Sequence, residues 1–145
     1  MNKTVTIIIT GRPYSKKNSR KSRTMRNKTT GKLYSFTVPS DNYESFEQSA
    51  LYQLKKYHVT FEKLVRVDYY FYRKGNESQD NDNAMGSIND VLEKSKIISN
   101  DKHIRCGYFE NIPDQKEWST KLVITDLMGV VQETKILAQR QKETL

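Results

Sequence analysis

The chain has little that could support a disulfide framework or a structural zinc site. Its 145 residues include one cysteine, Cys106, and two histidines, His58 and His103. A lone thiol closes no internal bridge, which fits a reducing, cytoplasmic compartment, and these three residues fall short of a zinc ligand set. Long apolar runs are missing too. No stretch approaches the ~20 residues of a membrane span and no signal-peptide core follows Met1, so no membrane partner is expected. A local absence says more. Residues 11–32 contain no aspartate or glutamate, yet Arg12, Lys16, Lys17, Arg20, Lys21, Arg23, Arg26, Lys28 and Lys32 all fall there. These nine cations exceed the whole net charge of +8, so the rest of the chain is close to neutral.

What is present suggests one domain over residues 1–145, large enough to bury roughly two-thirds of its unfolded surface. The β-branched run from Lys3 to Thr10 predicts a strand, central in its sheet. Gly11-Arg12-Pro13 ends it, and the basic stretch 11–32 reads as a loop with freedom to move. Residues 33–38 are expected as a short second strand or an extended segment. Ser40 or Asp41 caps a helix that runs to about Tyr57, with Phe46, Ala50, Leu51 and Leu54 on its inner face. Residues 64–73 are a strand with one buried face, so Tyr69, Tyr70, Phe71 and Tyr72 are packing residues rather than a base-stacking surface. A polar loop leads to a second helix from Asn83, whose apolar face is Ala84, Met85, Ile88, Val91 and Leu92. Residues 103–110 and 120–127 are expected as a final pair of strands, followed by a C-terminal helix or tail over 129–145. The fold class expected is α+β: a mixed sheet with two main helices.

The chemistry-bearing feature is Asp80-Asn81-Asp82-Asn83, followed by Asp101. In an extended segment two carboxylates spaced i, i+2 share one side, and a helix with a turn can bring Asp101 back to join them. Converging carboxylates repel unless a cation lies between them, and hard oxygen ligands suit Mg²⁺ or Mn²⁺. Two plainer explanations compete. An Asp-Asn stretch before a helix is often a turn, with Asn83 as the cap. A calcium loop is excluded, because its fifth, sixth and twelfth positions here are Ala84, Met85 and Val91. The basic segment is likewise either a solvated loop or an arm that contacts nucleic-acid phosphates. The acidic cluster favours the arm, with Lys16, Lys17, Arg20, Lys21, Arg23 and Arg26 as its DNA contacts. Asp90 is expected to be structural, Trp118 to anchor a core or interface, His103 to lie on a surface strand, and Cys106 to be a small core residue.

Gly11-x-Pro13 with Lys16-Lys17 and Arg20, then Tyr34 and Pro39, then Asp80-x-Asp82-Asn83, Asp90 and Asn100-Asp101, resembles the RusA family of Holliday-junction resolvases over most of residues 5–125. The resemblance implies a small homodimeric Mg²⁺-dependent endonuclease of phage or prophage type that nicks four-way DNA junctions symmetrically. It implies Asp80, Asp82 and Asp101 as the catalytic, metal-binding carboxylates. A metal there would polarise the scissile phosphate and lower the pKa of a bound water, with Asn83 assisting. The sequence departs from the family pattern at Gly86, where a lysine is usual, so either Lys102 or Lys16/Lys17 supplies the cation or turnover is weakened. It departs again in the loop before Asp80, which is strongly basic in the best-known member of the family and here reads Asn76-Glu77-Ser78-Gln79. A non-catalytic DNA- or RNA-binding accessory protein with a structural acidic cluster is the alternative.

Overall fold

Burial with a period of two builds the main sheet. In the computed structural model, which describes residues 3–15, 20–77 and 80–128 and only the backbone of Arg20, Lys21 and Pro39, four strands form one sheet. They are β1 (Thr4–Thr10), β4 (Val65–Lys74), β5 (Ile104–Gln115) and β6 (Ser119–Asp126), in the order β1-β6-β4-β5. β6 is antiparallel to both β1 and β4, whereas β5 is parallel to β4. Along β4 the inward residues Val65, Val67, Tyr69 and Phe71 are buried, and Tyr70 and Tyr72 on the other face are half-buried. Ile7 and Ile9 of β1 and Leu122 and Ile124 of β6 extend the same apolar face.

Two helices cover that face. α1 (Asp41–Leu54) starts where Ser40 Oγ accepts the amide of Tyr43 at 3.2 Å, and it buries Tyr43, Phe46, Ala50 and Leu54. Leu51, expected on this face, is only half-buried. α2 (Asn81–Lys94) buries Ala84, Ile88, Val91 and Leu92. Ser87 also faces inward, because its hydroxyl donates to the Tyr14 carbonyl at 2.6 Å and so satisfies itself in a buried position. The core of both helices and the sheet forms one cluster with Phe61, Ile97 and Ile98. The class is α+β, as expected. No helix among the described residues is long and apolar enough to cross a membrane.

Three placements differ from the sequence-based expectation. Among the described residues β1 is an edge strand, not a central one, because it pairs with β6 alone; Ile7 and Ile9 are buried while Ile8 between them is 50 % exposed, so only one of its faces is covered. The last two strands are not partners, because the β4–α2–β5 crossover puts β4 between β5 and β6. The basic segment is not loop throughout. Arg20–Arg26 forms β2, which pairs antiparallel with β3 (Leu33–Pro39) as a separate two-stranded sheet. The tail over 129–145 lies outside the described residues.

β5 begins with an irregularity. Val67 faces Cys106 and Asp68 faces Tyr108, so Gly107 is an extra residue in the pairing. The Arg66–Asp68 ion pair (2.9 Å) occupies the space above it, and a Cβ at Gly107 would fall 2.0 Å from Arg66 Nε. A larger residue at this crossing would have to displace the Arg66–Asp68 pair, of which Arg66 is half exposed.

Candidate functional site

Asp80 closes the N-terminus of α2. With extended backbone (φ −69°, ψ 121°), its Oδ1 accepts the amide of Asn83 at 3.2 Å, and its carbonyl accepts the Ala84 amide at 3.0 Å. The cap is therefore Asp80, not Asn83, and α2 begins two residues earlier than the apolar pattern indicates. Asp82 is the second residue of the helix, so the two acids do not form an extended i, i+2 pair. Both carboxylates are exposed, and both lie at the helix end whose free amides favour negative charge. Between them, Asn81 Oδ1 accepts Asn111 Nδ2 at 2.7 Å, which fixes the helix start to β5. Asn83 is half-buried.

Asp101 lies elsewhere. It opens a 3₁₀ turn (Asp101–His103) in which Asn100 Oδ1 accepts the Lys102 amide at 2.9 Å. Its own amide donates to Glu93 Oε2, in the last turn of α2, at 3.2 Å. A 14-residue helix thus separates Asp101 from Asp80, about 20 Å at 1.5 Å per residue. Lys102 shares the Asp101 end. Among the described residues no three His, Cys, Asp or Glu side chains form a group able to hold a metal. The expected convergence within one chain does not occur, and the topology gives the reason. In a parallel β4–α2–β5 unit the helix runs the length of the sheet, so the residue before it and the residue after it sit at opposite sheet ends. The three carboxylates of a single chain do not fit the donor set of a hard cation.

The root of the basic arm is held at the Asp80 end. Arg12 lies over the rings of Tyr14 (5.3 Å) and Trp118 (4.8 Å) and pairs with Glu77 Oε2 at 3.1 Å. The same oxygen accepts Trp118 Nε1 at 2.8 Å. Glu77 belongs to the loop that precedes Asp80. Trp118 is buried, as an anchor should be. Sequence patterning did not reveal this cluster, because its members are 41 and 65 residues apart and follow no local period.

From that root the chain reaches the β2–β3 hairpin. Its turn is closed by Asn27, whose Oδ1 accepts the amides of Thr29 and Thr30, and by Gly31 at φ +70°. Of the candidate DNA contacts, Arg23 and Arg26 are exposed on β2, and Arg26 Nη1 also donates to the Gly31 carbonyl. Arg20 and Lys21 belong to β2 by backbone, and Lys16 and Lys17 lie outside the described residues.

Three further residues are settled by position. Gly86, one turn beyond Asp82, is exposed, and a Cβ there would meet no atom within 4 Å. Cys106 is exposed rather than core, because the outer edge of β5 is uncovered among the described residues. His103 sits in the 3₁₀ turn, not on a strand.

No family model matches the chain, and no curated protein matches it.

Proposed function

We propose that the protein is a metal-dependent endodeoxyribonuclease of the RusA type that nicks four-way DNA junctions on opposing strands as a homodimer. The observation that supports this is the anchoring of Arg12, at the root of the basic segment, to the loop that precedes the exposed acids. Arg12, Trp118 and Glu77 tie the root of a strongly cationic hairpin to the loop leading into Asp80 and Asp82. An arm that binds phosphates without reading sequence would hold the backbone near those carboxylates. An acidic pair beside a polyanion site would repel the ligand unless a cation such as Mg²⁺ or Mn²⁺ intervened.

Asp101 enters through a second copy. Among the described residues β5 is a 12-residue edge strand whose exposed residues include Tyr108 and Phe109. Asp101 precedes its start, and Asn111, toward its other end, bonds the first residue of α2. A two-fold arrangement with the β5 strands antiparallel carries the Asp101 end of each copy toward the Asp80 end of the other. Two equivalent acidic sites result, which suits a substrate needing two symmetric nicks. Cytoplasmic location belongs to the same proposal.

The non-catalytic DNA- or RNA-binding alternative has one observation in its favour: Asp80 already has a structural task as the cap of α2. A synthetic four-way junction incubated with wild type and with Asp82→Asn, in Mg²⁺ and in EDTA, separates the two. Paired nicks that need both the metal and Asp82 support the nuclease. Binding without cleavage under every condition supports the accessory protein.

A further inference from the structure

The two faces of the β2–β3 hairpin differ in a way that phosphate binding does not require. The register pairs Arg23 with Phe36 and Met25 with Tyr34, and directly opposed residues in an antiparallel pair share a face. Arg23, Met25, Tyr34, Phe36 and Val38 therefore lie together. On the opposite face Thr24 and Ser35 exchange a hydroxyl hydrogen bond at 3.2 Å. Tyr34 and Phe36 stack, with centroids 5.9 Å apart and planes 28° from parallel. Tyr34 is 47 % and Met25 48 % exposed, and neither they nor Phe36 join the hydrophobic core cluster. A two-stranded hairpin is only marginally stable by itself, so an exposed Tyr34 ring beside the half-buried Phe36 points to something outside the described chain.

Charge complementarity identifies that something. Residues 20–39 hold Arg20, Lys21, Arg23, Arg26, Lys28 and Lys32 and no acid. A second copy of the hairpin would meet like charge, whereas a polyanion with flat apolar faces would meet both features at once. We propose that this face is a stacking platform for unpaired nucleobases, with Tyr34 as the principal ring and Arg23 beside it as a phosphate or base-plane contact. Closed duplex offers base edges and phosphates but no free base faces, while single strands and opened branch points offer both. The hairpin then supplies what a general cation arm lacks, a preference for nucleic acid whose bases are unstacked. This rests on the nucleic-acid function proposed above and extends it to the feature of DNA that is recognised.

The test is fluorescence anisotropy with the full chain in EDTA, where cleavage does not interfere. The probes are a thymidine oligomer of about 15 nucleotides, an abasic oligomer with the same number of phosphates, and a duplex of equal length. Tyr34→Ala is expected to weaken binding to the thymidine oligomer by about 5- to 100-fold and to leave the abasic oligomer and the duplex unchanged. Tyr34→Phe keeps wild-type affinity, and so does Thr24→Ala, which disturbs the opposite face of the same hairpin. Equal losses on base-bearing and abasic strands, or no loss on either, overturn the platform. A fall in sedimenting mass in Tyr34→Ala overturns it as well, by showing a self-association surface. These readouts do not depend on cleavage. A wild-type protein that prefers base-bearing strands but never nicks a junction retains the platform and loses the nuclease. One that nicks junctions yet ignores the Tyr34 change retains the nuclease and loses the platform.

Discussion

The backbone amide of Asp101 donates to the carboxylate of Glu93 at 3.2 Å, which holds Asp101 at the C-terminal end of α2. Asp80, capping the other end, is thereby kept about a helix length away. A sequence motif that looks like one acidic cluster is, in a single chain, two acidic positions joined by a rigid rod. Under the proposed nuclease function, a site that uses all three acids would need two copies.

The arm should behave as an electrostatic clamp. If about four to six of its cations contact phosphates, log K for a junction falls against log salt with a slope near −4 to −5. Titration at several salt concentrations measures this, and Arg23→Gln should flatten the slope by about one unit. A slope near zero would leave the hairpin without a phosphate role.

Gly86 is open to a side chain. It is exposed on α2, and nothing lies within 4 Å of where a Cβ would be. Gly86→Lys is expected to stabilise the protein by about 0.5–1 kcal/mol through helix propensity, read as a rise in the urea midpoint. The added ammonium stands one turn from Asp82, so the Mg²⁺-dependent nicking rate should rise as well. An unchanged midpoint would mean that α2 is not limited by glycine at this position.

Much of the scaffold was legible in the sequence, and the exceptions share a cause. β4 announced itself by alternation of Val and aromatic residues, and α2 by the spacing of Ala84, Ile88, Val91 and Leu92. β2 did not, because Arg-Lys-Ser-Arg-Thr-Met-Arg has no apolar period; its pairing is set by the Asn27–Gly31 turn. The three isoleucines of β1 hid its edge position, since strand order is set by pairing with the distant β6 and leaves no local pattern. Of the candidate site, the residue types were visible but their distances were not. The i, i+2 spacing assumed extended backbone, and the capping role of Asp80 makes it helical. The Arg12–Glu77–Trp118 cluster depends on contacts between distant segments and leaves no local pattern.

Alkaline pH should weaken the fold. Burial raises the Tyr69 hydroxyl above its ordinary value of 10.0, and burial does the same for Tyr43. Both stay neutral when folded at a pH where the unfolded chain would ionise. The stability they contribute is therefore fully present below about pH 10 and is lost as pH rises beyond it. Urea midpoints measured from pH 8 upward should fall above about pH 10, and Tyr69→Phe should reduce that fall. The same change removes the 2.5 Å bond to Asn89 Oδ1, so its midpoint at neutral pH should be lower, by roughly 1 kcal/mol.

The most direct test of the account mixes two inactive variants. Asp82→Asn and Asp101→Asn are each expected to abolish nicking of a four-way junction in Mg²⁺. If each site draws its acids from two copies, a mixed dimer places both substitutions in one site and leaves the other intact. Co-refolded in equal amounts, half the dimers are mixed, so the predicted recovery is about a quarter of the wild-type sites. A mixture that stays inactive, while the wild-type protein nicks the same junction, would contradict the account.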